Sequence, residues 1–261
     1  MEYDVRERRL ALIQDDLVDY ETAMGRMTEL VRERQRDERP DTLWLLSHPQ
    51  VFTVGRRTQP EHLPDPSRGI PVVQTGRGGQ LTYHGPGQLV GYLIVKLRQS
   101  EGVVDYIREV ELRLVAALGK LGVPAERRDT PPGSELLTGV WTRHTNRKIV
   151  SIGMRASRGV TSHGFALNVD GDLTPWQYAV PCGMPDVDMT SIARELSDTP
   201  GQAPGSQRRS AGHFIVSLTP APPAESASIA GGTAESAAAD SAQGPLMDQV
   251  RAVIADVFEA S

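Results

Sequence analysis

The segment 77–88 constrains the fold of this chain more than any other stretch, and it reads Arg-Gly-Gly-Gln-Leu-Thr-Tyr-His-Gly-Pro-Gly-Gln. Its adjacent glycines, Gly78 and Gly79, allow the backbone to approach a neighbour more closely than a Cβ atom would permit. The segment also gathers a guanidinium, a hydroxyl, an imidazole and an amide between apolar runs. Glycines alone favour a simple hairpin, but the arginine and the histidine at these positions favour a site.

The same segment predicts a strand, a turn and a second strand. Residues 80–84 have strand character, and the two-residue period of a strand places Thr82 and His84 on one face. The Gly-Pro-Gly sequence at 85–87 forces a turn, and the apolar run 89–97 leaves it as a strand. The polar side chains are therefore expected beside core strands.

Composition is that of an ordinary globular protein. The 261 residues, 39% hydrophobic and 23% charged, are enough to bury one sizeable core. The formal net charge of −5 argues against nucleic acid as a partner. The chain has no apolar run long enough to span a bilayer, and its first ten residues are too rich in Arg and Glu for a secretory signal. A single cysteine suits a reducing compartment, so we expect a cytoplasmic protein with no membrane partner.

Hydrophobic periodicity predicts helices and strands that do not alternate regularly. The first sixteen residues are interpreted as a frayed lead-in. Helices are expected at 20–36, 104–121, 190–196 and 246–260. Strands are expected at 42–46, 51–54, 80–84, 89–97, 139–142, 148–155 and 160–169. Turns at 146–147 and 157–159 make the last three strands an antiparallel meander. The predicted fold class is α+β, with a mixed, largely antiparallel sheet and flanking helices on one side.

Residues 198–245 interrupt this pattern with a stretch rich in Ala, Ser, Gly and Pro. Such a composition cannot bury enough apolar surface to fold alone, so we expect a disordered insertion. Residues 213–218 are the part of it that resembles a strand. The prediction is thus a single catalytic domain over 1–261 that carries this insertion.

Cys182 is the candidate nucleophile. A free cysteine is usually a small buried hydrophobic residue. The sequence Ala-Val-Pro-Cys-Gly-Met-Pro, however, places this thiol on a sharply turned loop, where catalytic groups are often displayed. A nucleophilic thiol needs a nearby cation to ionise at neutral pH. Lys148 opens a strand, and on sequence alone it is a solvent-exposed strand-end lysine. His48, Arg56 and Arg57 are interpreted as surface groups, and the six histidines lack zinc-ligand spacing, so no metal is expected.

The pattern Arg77-Gly78-Gly79-x-x-Thr82-x-His84-x-x-Gly87-Gln88 resembles the signature of the lipoyl (octanoyl) transferase family. Those enzymes, octanoyl-[acyl carrier protein]:protein N-octanoyltransferases, move an octanoyl group onto a lysine of a lipoyl domain. Residues 147–153, 162–168 and 181–183 resemble further motifs of the family. The similarity covers about 18–196 and, loosely, the last helix, and it implies a fold similar to the lipoate/biotin protein ligase catalytic domain.

The resemblance implies roles for particular residues. Cys182 would carry the acyl thioester, and Lys148 would lower the pKa of that thiol and accept a proton. The acyl site would be lined by Arg77, Gly78, Gly79, Gln80, Leu81, Thr82, Tyr83, His84, Ser151, Ile152, Gly153, Gly164, Phe165 and Ala166, with support from His163 and Gln88. Phe165, Ala166 and Leu167 are candidates for an apolar slot. Backbone N–H groups, His84 or His163 would stabilise an oxyanion.

The partners implied are acyl carrier protein, which carries the octanoyl donor on its phosphopantetheine arm, and the lipoyl domains of 2-oxoacid dehydrogenase complexes and glycine cleavage H protein. No cofactor is expected. Three alternatives stay open: an ATP-dependent lipoate ligase of the same superfamily, a Cys-His hydrolase that pairs Cys182 with His84 or His163, and a non-catalytic acyl-binding or scaffold protein. The ligase needs no cysteine, and the chain has no Gly-x-x-x-x-Gly-Lys-Ser/Thr loop.

Overall fold

A computed structural model describes residues 8–131, 136–180, 184, 186–198 and 244–259. Its helices are α1 (Tyr20–Gln35), α2 (Val103–Lys120), α3 (Ile192–Asp198) and α4 (Pro245–Glu259). Its strands are β1 (Ala11–Leu17), β2 (Thr42–Ser47), β3 (Val51–Val54), β4 (Val72–Gln74), β5 (Thr82–His84), β6 (Gln88–Ile94), β7 (Ala125–Glu126), β8 (Gly139–Thr142), β9 (Lys148–Ser157) and β10 (Val160–Asn168). In this part of the chain, no helix is long and apolar enough to cross a membrane.

Two sheets organise the described residues. The large sheet has seven strands in the order β1-β2-β6-β10-β9-β8-β7. Its pairings are antiparallel except for the parallel pair β1–β2. The small sheet has the order β4-β3-β5, with β3 parallel to β4 and antiparallel to β5. The predicted α+β class with a mixed, largely antiparallel sheet is therefore confirmed.

The helices lie on both faces of the large sheet, so the prediction that they lie on one side is wrong. Leu43 and Leu45 of β2 pack in one core cluster with residues of α2 and α4. Trp44 and Leu46, one position along, pack in a second cluster with residues of α1. Successive side chains of a strand point to opposite faces, so β2 is buried on both. Such a strand reads as a continuous apolar run, which indicates that both faces are covered but not which elements cover them.

The N-terminal prediction is also wrong, because Ala11–Leu17 forms the edge strand β1 beside β2. Its side chains are mostly half-buried or exposed, so its sequence shows no clear apolar face. Helix α1 follows, with Asp19 as a capping residue whose side chain accepts from the Thr22 N–H.

The predicted insertion begins and ends inside helices, since Asp198 closes α3 and Pro245 opens α4. Residues 199–243, including the strand-like run 213–218, lie outside the described residues. Helix α4 contributes Met247, Val250, Ile254 and Phe258 to the same core cluster as α2. The predicted return of the chain to the core in a C-terminal helix is confirmed.

Candidate active site

A small cavity lies between the N-terminus of α1 and the centre of the large sheet. Its volume is about 30 Å³, which holds about two water molecules. The lining residues come from α1, the segment before β5, and strands β5, β6, β9 and β10: Tyr20, Arg77, Thr82, His84, Val90, Tyr92, Ser151, Gly153, His163, Gly164, Phe165 and Ala166. Most of the residues that the family resemblance assigns to an acyl site therefore meet at one place.

Strand alternation decides which predicted residues line the cavity. Thr82 and His84 both line it, as the period of two predicts. Leu81 and Tyr83, which alternate with them, pack in a separate cluster around the small sheet. Ser151 and Gly153 line the cavity, and Gly164 and Ala166 do the same on the neighbouring strand.

Two predicted contacts belong to the core instead. Ile152 and Leu167 pack in the cluster with α2 and α4, on the face of the sheet away from the cavity, so Leu167 does not line the predicted apolar slot. Phe165 contributes to the cavity wall, but its ring stacks on Phe258 at 5.8 Å between centroids.

The segment before β5 serves mainly to hold the chain in place. A Cβ atom on Gly78 would lie 2.8 Å from the Met154 carbonyl oxygen, so the predicted close approach is to the backbone of β9. The buried Arg77 guanidinium donates through Nη2 to the carbonyl and hydroxyl oxygens of Thr53, at 2.7 and 2.9 Å. Gln80 Oε1 lies 3.1 Å from His62 Nδ1. Arg77 therefore fastens this segment to β3 while it lines the cavity.

Three aromatic residues in this region were missed as site residues: His48, Tyr20 and Tyr92. His48 is fully buried, so the prediction of a surface group is wrong. Its Nδ1 lies 2.7 Å from the Val18 carbonyl oxygen and its Nε2 lies 2.7 Å from the Tyr92 hydroxyl. A carbonyl oxygen only accepts, so Nδ1 carries the proton, and the Tyr92 hydroxyl donates to Nε2 of the neutral ring.

His84 stands against this aromatic group. The Tyr20 ring stacks on it at 6.0 Å between centroids, and the His48 ring meets it edge-on at 5.5 Å. The signal for Tyr92 was a tyrosine in an otherwise apolar strand, because a buried tyrosine hydroxyl needs a polar partner. For Tyr20 and His48 the sequence carried no comparable signal.

The three histidines of the site are neutral at physiological pH. Burial lowers the pKa of His48. Burial and the neighbouring His48 hold the pKa of His84 well below its usual range. Burial, with the charges of Arg77 and Arg155, lowers the pKa of His163 from 6.5 to about 3. His163 also has a backbone φ of 61°, an uncommon conformation for a residue other than glycine.

Lys148 is buried, with 1% of its surface exposed, so it is not a strand-end lysine in solvent. Its Nζ lies 5.0 Å from the centroid of the Trp141 ring, and its side chain passes over Gly139. Gly139 pairs with Ser151 and Trp141 pairs with Lys148, because the register of β8 and β9 shifts between Val140 and Trp141. This shift places Lys148 on the same face as Ser151, which is the cavity face of the sheet. Its backbone bonds at both ends to residues 188 and 190: its N–H donates to Asp188 and its carbonyl accepts from Thr190.

The predicted nucleophile, Cys182, lies outside the described residues, as do Pro181 and Gly183. In the described part of the chain, no group of three or more His, Cys, Asp or Glu side chains is placed to hold a metal ion. A wider groove of about 520 Å³ adjoins the cavity and shares Tyr20 and His163 with it. Its other walls come from α1, residues 73–76 and the far ends of β9 and β10.

Comparison with known proteins identifies the family. Residues 19–204 match the model of the lipoyl protein ligase A/B catalytic domain. An octanoyltransferase from Frankia casuarinae is 59% identical over 195 residues, which cover 75% of this chain and 83% of the relative. The chain belongs to the octanoyltransferase family. An octanoyltransferase from Acidothermus cellulolyticus is 46% identical over 190 residues, covering 72% of this chain and 82% of the relative. The chain is therefore an acyltransferase, as the sequence predicts.

Solved structures confirm the fold. A crystal structure of lipoate-protein ligase A bound with ATP superposes with a TM-score of 0.56 at 17% identity, over 75% of this chain and 80% of that one. At this level of identity the likeness concerns the fold alone. The predicted similarity to a lipoate ligase catalytic domain is confirmed by it.

Proposed function

We propose that this octanoyltransferase takes the octanoyl group from the phosphopantetheine arm of acyl carrier protein and passes it through a thioester on Cys182 to a lysine of a lipoyl domain. The acceptors would be the lipoyl domains of 2-oxoacid dehydrogenase complexes and glycine cleavage H protein. The reaction needs no ATP and no cofactor.

The observation that carries this proposal is the burial of Lys148. A buried ammonium group is costly unless an anion accompanies it. Among the described residues, no carboxylate forms an ion pair with Lys148, and its ammonium rests on the Trp141 ring. The segment to which its backbone bonds begins six residues after Cys182. A thiolate on Cys182 would supply the missing anion, and Lys148 would in turn lower the pKa of the thiol.

In the first step the Cys182 thiolate attacks the carbonyl carbon of the octanoyl thioester. A new C–S bond forms at Cys182, the old C–S bond breaks, and the pantetheine arm leaves as a thiolate that takes up a proton. One thioester replaces another, so this step is nearly isoenergetic. Once the Cys182 anion is gone, the buried Lys148 ammonium has lost its counter-charge and would pass its proton to the departing pantetheine thiolate.

In the second step a lysine amine of the lipoyl domain attacks the enzyme thioester and forms an amide. Free lysine is protonated at neutral pH, with a pKa of ~10.4, so the site must accept protons from it. Neutral Lys148 would accept one of them. The products are octanoylated lipoyl domain and the Cys182 thiolate, again beside a cationic Lys148.

The cavity supplies the acyl site in this proposal. Val90, Ala166 and the ring of Tyr92 give it an apolar wall, and burial contributes ~0.8 kcal/mol for each CH₂ group of the chain. At about 30 Å³ it is too small for eight carbons as it stands, so the acyl chain must displace side chains. Tyr20 and His163 line both the cavity and the adjoining groove, and we expect these two to move.

A transfer assay separates this function from its alternatives. Octanoyl-acyl carrier protein and an unmodified lipoyl domain, without ATP, should yield octanoylated lipoyl domain by mass spectrometry. Free octanoate with ATP should yield none. Product only in the second reaction would identify a ligase. Rapid release of free octanoate from octanoyl-acyl carrier protein without any acceptor would identify a hydrolase, and no turnover in either reaction would indicate a binding protein.

A further inference from the structure

A hydrogen-bond network of buried side-chain amides holds the His84 ring. His84 Nδ1 lies 2.8 Å from Gln88 Oε1. Gln88 Nε2 donates to the Tyr83 carbonyl at 3.1 Å and to Asn168 Oδ1 at 2.9 Å. Asn168 Nδ2 donates to the Thr190 carbonyl at 2.9 Å. Gln88 and Asn168 face each other across the β6–β10 ladder, at its end.

Two backbone carbonyl groups fix the direction of every hydrogen bond in this network. The Tyr83 and Thr190 carbonyl oxygens can only accept, so the NH₂ groups of Gln88 and Asn168 must face them. Gln88 Oε1 is then the atom that faces His84, and this oxygen also can only accept. His84 Nδ1 therefore carries the proton, and Nε2 of the neutral ring has a free lone pair.

The nitrogen that His84 offers to a molecule in the cavity is therefore a proton acceptor. Nδ1 is occupied by Gln88, while the ring lines the cavity. Among the residues that the structure describes, the titratable or charged groups around this ring are Tyr20 of α1, His48 after β2, Arg77 before β5 and His163 of β10. None of them is an anion that would hold an imidazolium ion. A neutral His84 with its proton on Nδ1 cannot donate to an oxyanion through Nε2. His84 is therefore not the oxyanion-stabilising group that was one of the alternatives expected from the sequence.

The proposed reaction requires a second proton acceptor. Conversion of a lysine ammonium group to a secondary amide releases two protons, and Lys148 accepts one. We propose that His84 Nε2 accepts the other and that Gln88 and Asn168 are positioning residues which keep the proton on Nδ1. As the C–N bond forms and the C–S bond breaks, an N–H proton of the amine passes to Nε2 and the Cys182 thiolate leaves. This inference rests on the proposed function.

The tautomer of His84 is measured directly by ¹⁵N NMR of the unmodified protein, labelled with ¹⁵N at its histidines. The pair of ring ¹⁵N signals that is lost in His84→Gln assigns His84 among the six histidines. We expect a protonated Nδ1 and an unprotonated Nε2 from pH 6 to pH 8. A protonated Nε2 at neutral pH would overturn the inference without touching the proposed function.

Kinetics test the role of the lone pair. Octanoyl-enzyme formation and transfer to the lipoyl domain are timed separately. Because general base catalysis contributes roughly 10²-fold or more, His84→Gln should slow transfer at least that much more than it slows thioester formation. Equal effects on the two steps would contradict the inference. If wild-type protein forms no octanoyl-enzyme at all, it is the proposed function that fails.

Gln88→Glu gives a readout that a purely structural role would not change. A carboxylate still accepts from Nδ1–H, and its negative charge favours the imidazolium form of His84. The acidic limb of the pH–rate profile for transfer should move to higher pH by about one unit or more. A lower rate with an unmoved limb would show that Gln88 supports the fold only.

Discussion

The neutral, buried His163 predicts a specific dependence of stability on pH. Its pKa is lowered from 6.5 in the unfolded chain to about 3 in the folded one. On acidification the unfolded chain therefore binds this proton first, and stability is lost from pH 6.5 down to about pH 3. Between pH 7 and pH 5 the loss from this one group is about 2 kcal/mol, at 1.36 kcal/mol for each pH unit below 6.5. Burial also lowers the pKa of His48 and His84, so both add to the same slope.

The free energy of unfolding is measured by urea titration at several pH values between 7 and 5, a range that lies above the pKa of most carboxyl groups. His163→Asn removes the titrating ring and suits the positive φ, because Asn tolerates this conformation better than most residues. Its free energy of unfolding should fall by about 2 kcal/mol less than that of wild type over this range. His144→Asn is the control, since His144 is exposed and should leave the slope unchanged. If His163→Asn follows the wild-type slope, the histidine is not buried in its neutral form.

Three further predictions concern the site, the core and the insertion. Lys148→Arg should keep Cys182 partly ionised but transfer octanoyl poorly, because arginine does not release its proton. Lys148→Ala should lose both the ionisation of Cys182 and the transfer of octanoyl. Normal turnover of Lys148→Arg would show that Lys148 is not the proton acceptor. Gly91→Ala should lower stability by about 1–3 kcal/mol in thermal unfolding, because its Cβ would lie 2.2 Å from the Phe165 ring. Gly25→Ala on α1 is the control, because its Cβ would enter open space and should not destabilise the protein. Replacement of 199–243 by a short Gly/Ser linker should leave transfer within a few-fold; a folded but inactive product would mean that this stretch contacts a partner.

The sequence predicts most of the elements because local signals were strong. The helices α1, α2 and α4 and the meander β8–β9–β10 begin and end within a few residues of their predicted positions. Strand β1 was missed because its side chains are mostly half-buried or exposed, and a strand at a sheet edge needs no apolar face to be paired. The second helical layer was missed because a strand buried on both faces looks the same whether its covers are helices or other strands.

The site shows where sequence reasoning reaches its limit. Alternation placed Thr82 and His84 together, but it could not show that Leu167 faces the α2 and α4 core. The sequence predicts a surface position for His48 because it stands in a loop between two strands. Only the tertiary structure brings Tyr20, Tyr92 and His84 around its ring.

The position of Lys148, a charged residue, could not be predicted from the sequence either. From the sequence it was a lysine at the start of a strand, and such lysines usually lie in solvent. The structure buries it over Gly139 and beside Trp141, which no local pattern specifies. The family resemblance singles it out, and its burial is the observation on which its proposed role rests.

The covalent intermediate on Cys182 can be observed in the intact mass of the protein after incubation with octanoyl-acyl carrier protein, without ATP. We expect that wild-type protein gains one octanoyl group, that an unmodified lipoyl domain then removes it, and that Cys182→Ala gains none. A folded Cys182→Ala protein that still becomes octanoylated, or that still transfers octanoyl at the wild-type rate, would contradict this expectation.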